Sequence, residues 1–266
     1  MPRQTLELQN KVVLLTGASE GIGAALARVL QFRGARVALV ARSEKKLKEL
    51  ARQEDLVVVA DLSVQADRMK AVADTISCFG RIDVLINNAG VGVYDKTIAV
   101  PLQPVRKMFE VNFFAPLELC QLAVPYMPRG SMIVNVSSIG GKVILPWATL
   151  YSATKYALNA LTEGLRVELH PRCIHVLGVY PGHVRTGFQQ HIVHGRAVED
   201  LSPFRNRLAI SAEECARLIL RAMERRARTL VVPRLYWFAV WCAHLFPGAL
   251  EARLRRMMQG IDNSES

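Results

Sequence analysis

Tyr151 and Lys155 stand four residues apart in the run Tyr151-Ser-Ala-Thr-Lys155, thirteen residues beyond Ser138. On a helix that spacing sets a phenol and an ammonium on one face, about 6 Å apart at Cβ, where the cation favours the ionised phenol. A tyrosine so placed is both an acid and a base. An ordinary phenol titrates near pH ~10, and bringing it close to neutrality takes roughly 4 kcal/mol of preferential phenolate stabilisation. A neighbouring ammonium in a partly dry cleft supplies much of that, so the expectation is a Tyr151 held well below the ordinary phenol value. Taken alone, the pair reads as an ordinary solvated helix pair, and it is the rest of the chain that reverses this.

The elements that would position this chemistry begin at the amino end. Lys11-Val-Val-Leu-Leu15 is a short apolar run, followed by Thr16-Gly17-Ala18-Ser19-Glu20-Gly21-Ile22-Gly23 and then a helical pattern from Ala24 to Arg33. Strand, glycine-rich turn and helix in that order form a phosphate-binding βα unit: glycines let the backbone approach a diphosphate, and the helix amino terminus offers free N–H groups. The spacing is G-x-x-x-G-x-G rather than G-x-G-x-x-G. The second apolar run, Arg36 to Val40, ends at Ala41-Arg42-Ser43, where a dinucleotide fold meets the adenosine ribose. An acid there would accept from the 2′-hydroxyl of NAD(H). Arg42 with Ser43, Lys45 and Lys46 suits a 2′-phosphate instead, so NADP(H) is the expected cofactor and NAD(H) the alternative; Glu20 adds an opposing negative charge.

Thr16-Gly17-Ala-Ser19-x-Gly21-Ile22-Gly23, Asn87-Asn88-Ala89-Gly90, Asn112, Ser138, Tyr151-x-x-x-Lys155 and Pro181-Gly182 occur in one order between about residues 10 and 187. In this set the chain resembles the short-chain dehydrogenase/reductase (SDR) family. The resemblance implies a catalytic tetrad of Asn112, Ser138, Tyr151 and Lys155. Ser138 would hydrogen-bond the substrate oxygen and Tyr151 exchange a proton with it. Lys155 would stabilise the phenolate and bind the nicotinamide ribose, and Asn112, in a helix beginning near Pro104, would hold a water linking Lys155 to solvent. Singly, Ser138 and Asn112 also read as backbone caps. For the cofactor the resemblance implies Gly17, Ser19, Glu20, Gly21, Ile22, Gly23 and Arg42, then Asp61 and Leu62 at the adenine, and Asn88, Ala89 and Gly90 at the adenosine ribose. Tyr151 and Lys155, with Pro181, Gly182, Val184 and Thr186, would meet the nicotinamide end. It further implies a homodimer or homotetramer.

The 266 residues are 51% hydrophobic, enough for one substantial core. Alternating apolar runs and amphipathic segments predict an α/β fold: a single Rossmann-type doubly wound domain over residues 1–266, with seven parallel strands flanked by helices, the last strand Thr229 to Val232. A substrate-lid segment at about 188–210, containing Phe188 and Phe204, predicts a bulky hydrophobic carbonyl or alcohol substrate, lipid- or steroid-like. A basic, aromatic extension covers about 233–266. Between Arg217 and Met258 stand nine arginines, no lysine, and only Glu224 and Glu251 as acids. The apolar run Tyr236 to Phe246 is too short to span a bilayer. Lid, subunit contact and peripheral membrane contact all remain open for it, while nucleic-acid binding is excluded by the lack of a recognition motif.

Five scattered cysteines without a C-x-x-C pair exclude a disulfide framework and a zinc site. His191-x-x-His194 would put two imidazoles on one helical turn without a third ligand, so the expectation is exposed histidines and no metal. The polar opening residues lack the apolar segment of a signal peptide, so the expected location is cytoplasmic, with surface membrane association through the tail as an addition. The sequence therefore predicts an NADP(H)-dependent oxidoreductase interconverting a ketone and a secondary alcohol, reduction being the working direction. The rival from another class is a catalytically idle nucleotide sensor or scaffold acting through its basic tail.

Overall fold

Residues 5–144, 147–195 and 209–265 are described by a computed structural model. Seven strands, β1 (Val12–Thr16), β2 (Arg36–Ala41), β3 (Leu56–Val59), β4 (Val84–Asn87), β5 (Met132–Val136), β6 (His175–Pro181) and β7 (Thr229–Val232), form one sheet. Their order is β3-β2-β1-β4-β5-β6-β7 and every pairing is parallel. The expected seven strands are all present, with bounds moved by one or two residues; Pro181 is the last residue of β6 rather than the start of the following turn.

Successive side chains of a strand point to opposite faces, and here each face is buried. Val13, Leu15, Val37, Leu39, Ile86 and Val134 pack with Leu26, Leu30, Ile219 and Met223 into one core. Their alternates Leu14, Ala38, Val40, Leu85 and Ile133 pack with Val72, Leu119 and Cys120 into the other. Helices α1 (Gly21–Phe32), α2 (Glu44–Leu50) and α7 (Ala212–Glu224) supply the first core. Helices α3 (Gln65–Phe79), α5 (Ala115–Ala123) and α6 (Thr149–Glu168) supply the second. The switch between β1 and β4, where the chain leaves one side of the sheet for the other, opens the crevice in which doubly wound folds bind ligands.

The helix expected from Pro104 is α4 (Leu102–Phe109), joined to α5 by a π-helical turn, Glu110–Phe114, that contains Asn112. Short π segments of this kind frequently occur at functional sites. Beyond β7 the tail folds as α8 (Tyr236–Leu245) and α9 (Pro247–Glu265). No described helix is long and apolar enough to cross a membrane. All five cysteines are free; the two exposed ones, Cys78 near the end of α3 and Cys173 just before β6, sit on connections that enter the amino ends of strands. Of the expected lid, residues 196–208, with Phe204, lie outside the described residues. Gly187–His191 is a 3₁₀ turn, and Ile192–Gly195 a short strand beside Gly92–Tyr94.

Candidate active site

A cleft of about 1190 Å³ runs along the carboxyl ends of the strands. Its floor begins at the glycine turn. A Cβ at Gly23 would fall on the carbonyl oxygen of Gly17, so glycine there lets α1 pack against the turn. Gly23 itself is buried and lies beneath the cleft wall, whereas Gly17, Ser19, Glu20, Gly21 and Ile22 line it. Thr16 and Asn88 hold the turn in place: Thr16 Oγ1 accepts from the N–H groups of Asn88 and Ala89 and donates to Ile86 O. Asn88 Nδ2 donates to the carbonyls of Thr16 and Gly17 at 3.0 and 3.2 Å. No side chain caps the start of α1, so its first N–H groups are not taken up by a cap.

Arg42 and Ser43 line the cleft beyond β2, and Asp61 and Leu62 beyond β3. Burial raises the Asp61 carboxyl, but hydrogen bonds from Ser63 and the nearby Arg42 charge prevail and hold it below its ordinary value. Lys46, expected beside Arg42, is instead paired with Glu20 at 3.1 Å. Glu20 also meets His191 at 2.7 Å. Burial pushes the Glu20 carboxyl up, yet these two neighbours bring it below the carboxylate norm. His191 is half-buried at the end of a 3₁₀ turn, and His194 lies in a strand 3.5 Å from Asp95. The expectation of two exposed imidazoles on one helical turn is therefore corrected: the chain leaves helical geometry between them, and each meets its own carboxylate.

At the other end, α6 carries Tyr151 and Lys155 into the cleft beside Ser138, which follows β5. Polar struts fix the rotation of α6. Ser137 Oγ donates to Asn159 Oδ1 at 2.7 Å, Asn159 Nδ2 donates to Gly141 O, and Asn135 Nδ2 donates to Thr162 Oγ1. Asn112, fully buried, donates from Nδ2 to Thr154 Oγ1 at 3.0 Å and to Val91 O, and accepts from Val91 N. Both of its donors are used in joining the π turn to α6 and to the segment after β4. Asn112 thus stands behind the cleft wall as a brace. Gly90 packs between Asn112 Oδ1 and Lys155 Nζ.

Lys155 Nζ donates to Val136 O at 3.2 Å and lies 5.7 Å from the centre of the Tyr151 ring. Ser138 Oγ accepts from Gly140 N at 3.0 Å, as the capping reading required, and the side chain stands close enough to Tyr151 to pull on its phenol. The expected acidification of Tyr151 is overturned. Burial pushes the phenol up to about 12 against a lesser downward pull from Ser138. Burial also brings Lys155 down to about 8, because a low-dielectric setting disfavours both charged forms.

Several lining residues escaped the sequence reading. Tyr94 meets the Tyr151 ring at a tilt with ring centres 5.4 Å apart, and Phe188, foreseen as a lid residue, meets it edge-on at 6.2 Å. Trp147, with a left-handed φ of 59°, also lines the cleft. So do Tyr236 of α8 and Leu250, Arg253 and Leu254 of α9, the last three on one helix face by their spacing. That i, i+3, i+4 pattern was readable beforehand; the direction it faced was not. Pro181, Gly182, Val184 and Thr186 form the remaining wall, with the Tyr236 ring closed against Gly182. The tail is accordingly part of the cleft, as the lid reading of it required. Of the catalytic and cofactor residues that the resemblance implied, all line this cleft except Gly23 and Asn112, which are buried outside its lining.

Comparison with known proteins gives this geometry its context. The short chain dehydrogenase family profile matches residues 11–197. Dehydrogenase/reductase SDR family member 7B of Mus musculus is 36% identical over 204 residues, 72% of this chain and 63% of that protein, so the chain spans less than two thirds of that relative's length. The 3-ketodihydrosphingosine reductase of Bacteroides thetaiotaomicron is 37% identical over 183 residues, 68% of this chain and 66% of that one. A solved short chain dehydrogenase from Burkholderia cenocepacia in complex with NADP superposes with a TM-score of 0.80 at 28% identity, covering 94% of this chain and 99% of its own.

Proposed function

The chain belongs to the short-chain dehydrogenase/reductase family, and from that premise we propose that this oxidoreductase prefers NADP(H) and interconverts a ketone and a secondary alcohol on a bulky, hydrophobic substrate. The observation that carries the reading is a single cleft with a bare helix amino terminus at one end and the Ser138–Tyr151 pair, walled by aromatic rings, at the other.

The residues present fit a phosphorylated dinucleotide. The glycine turn and the uncapped start of α1 suit a diphosphate, and Arg42 with Ser43 suits a phosphate on the adenosine ribose. Glu20, the acid that would repel such a group, is engaged by Lys46 and His191. When bound, the nicotinamide supplies or accepts the hydride. Tyr151, kept protonated by burial, has the proton to give to a carbonyl oxygen in reduction, and Ser138 offers that oxygen a second hydrogen bond. Lys155 is the cation nearest the phenol ring and offsets its charge once the proton has left. Asn112 positions α6 through Thr154.

The substrate class is supported by the rings of Tyr94, Trp147, Phe188 and Tyr236 and by Leu250 and Leu254 around the open part of the cleft. The Bacteroides thetaiotaomicron relative, a 3-ketodihydrosphingosine reductase by name, points the same way. Self-association as a dimer or tetramer belongs to the same proposal; exposed Phe114, Tyr156 and Val167 on the π turn and α6 offer apolar surface for it. The test is oxidation of NADPH against NADH over a panel of ketones and aldehydes of increasing chain length. NADPH oxidation rising with chain length is the expected result. Tyr151→Phe should cut kcat by about 10²–10⁴ with unchanged NADPH affinity. Retained turnover in that variant would remove the phenol from the chemistry.

A further inference from the structure

Helix α8 is apolar on every side. Its inner face carries Tyr236, closed against Gly182, and Val240, which is buried. Around its outer face and ends, Leu235, Trp237, Phe238, Trp241, Leu245 and Phe246 are each between 38% and 71% exposed. Single exposed apolar side chains are ordinary, but six large ones on twelve consecutive positions form a patch that calls for a partner. A helix apolar all round belongs in a protein core or in lipid.

The chain on either side of α8 is basic: Arg234 stands two residues before it, and Arg253, Arg255 and Arg256 follow in the first half of α9, with Glu251 among them. Arg255 is paired with Glu251, while Arg234 and Arg256 are exposed.

We propose that the outer face of α8 docks on an anionic phospholipid surface, with its aromatic rings at the headgroup level and the flanking arginines on lipid phosphates. Trp and Phe mixed with Arg suit the interface of a bilayer, where rings are accommodated beside charge. Guanidinium and phosphate charges are complementary there. The ten-residue α8 is too short to cross the hydrocarbon region, so it lies in the plane of the surface. Tyr236 on its inner face lines the cleft together with Leu250 and Leu254, so a docked α8 would stand between the lipid and the cleft. If the hydrophobic substrate proposed above is correct, it passes from membrane to cleft along α8 and α9 without crossing bulk water.

The test floats the full 266-residue chain on a density gradient with vesicles of phosphatidylcholine alone or of phosphatidylcholine with phosphatidylglycerol. Flotation with the anionic vesicles only is expected, accompanied by a blue shift of tryptophan emission. Phe238→Ser/Trp241→Ser should abolish flotation, and Arg234→Gln/Arg256→Gln should weaken binding roughly thirtyfold. Thermal melting of both variants by circular dichroism, matching the parent, separates lost binding from lost fold; a variant that does not melt like the parent is replaced by Phe238→Gln alone. Absence of flotation with anionic vesicles overturns the proposal, as does flotation unchanged in both double variants. An oligomer that Phe238→Ser/Trp241→Ser dissociates, in a chain that does not float, assigns the face to a second copy and overturns it equally. Binding is read without turnover, so its failure leaves the redox reading standing, and failure of ketone reduction leaves the docking standing.

Discussion

Lys155 shows how far residue type and spacing reach, and where they stop. The four-residue spacing to Tyr151 was enough to place both groups on one face of α6. It could not reveal that both groups are enclosed, because burial is a property of the folded whole, and burial reverses the expected shift of the phenol. The buried lysine has a measurable consequence. Its folded value of about 8 lies below its ordinary 10.5, so between those pH values the unfolded chain binds more protons and stability rises with pH. Below about pH 8 the ammonium is charged in both states, and the fold bears the full cost. Lys155→Met should therefore abolish turnover yet raise stability at pH 7 by roughly 3 kcal/mol, less the lost bond to Val136. That gain should fade as the pH climbs from 8 to 10.5, which denaturant titrations across this range would check. Arg42 was legible as well, since it stands where β2 ends, but the diversion of Lys46 to Glu20 was not. Arg42→Ala should raise KM for NADPH about 10- to 100-fold and leave KM for NADH nearly unchanged, because a charge-assisted bond is worth about 1.5–3 kcal/mol. Equal losses with both cofactors would refute the assignment.

Strands were the most legible elements, because runs buried on both faces are apolar throughout and are cut by glycine and polar turns. Helix α6 was implied by the spacing of Tyr151 and Lys155, but what orients it was not foreseen. Asn135, Ser137, Asn159 and Thr162 are scattered in sequence and carry no spacing signal; only the fold brings them together. They rotate α6 so that its catalytic face meets β5. Asn159→Ala would leave Ser137 Oγ and the carbonyl of Gly141 without this partner in a buried setting. The expected cost is about 1–3 kcal/mol, seen as a Tm lowered by several degrees, together with a fall in kcat larger than any change in KM. An unchanged kcat would mean that these struts hold the helix but not the register of Tyr151. The π turn at Asn112 was equally hidden, since one extra residue in a helical turn leaves an apolar pattern almost intact.

At the scale of the molecule, the parallel sheet and the cleft along its carboxyl ends follow from the order of apolar runs and glycine turns. The tail did not follow. A helix apolar on all sides has no periodicity to say which face is inward, so the inward side of α8 is known only from the contact of Tyr236 with Gly182. Tyr236→Ala should raise KM for a long-chain ketone about tenfold while a small ketone is reduced as before, because the ring adds apolar wall to the cleft and a long substrate has more surface to lay against it. Loss of activity toward both would instead make the ring a support for Gly182. The two exposed cysteines, Cys78 and Cys173, the latter hydrogen-bonded by Arg129, precede strand amino ends, while the cleft occupies the carboxyl ends of the same sheet. A dye or a solid support coupled to either sulfur would sit on the far rim, leaving the mouth and its aromatic roof directed outward. An immobilised catalyst or a fluorescent reporter needs that orientation, and here it requires no engineered attachment point.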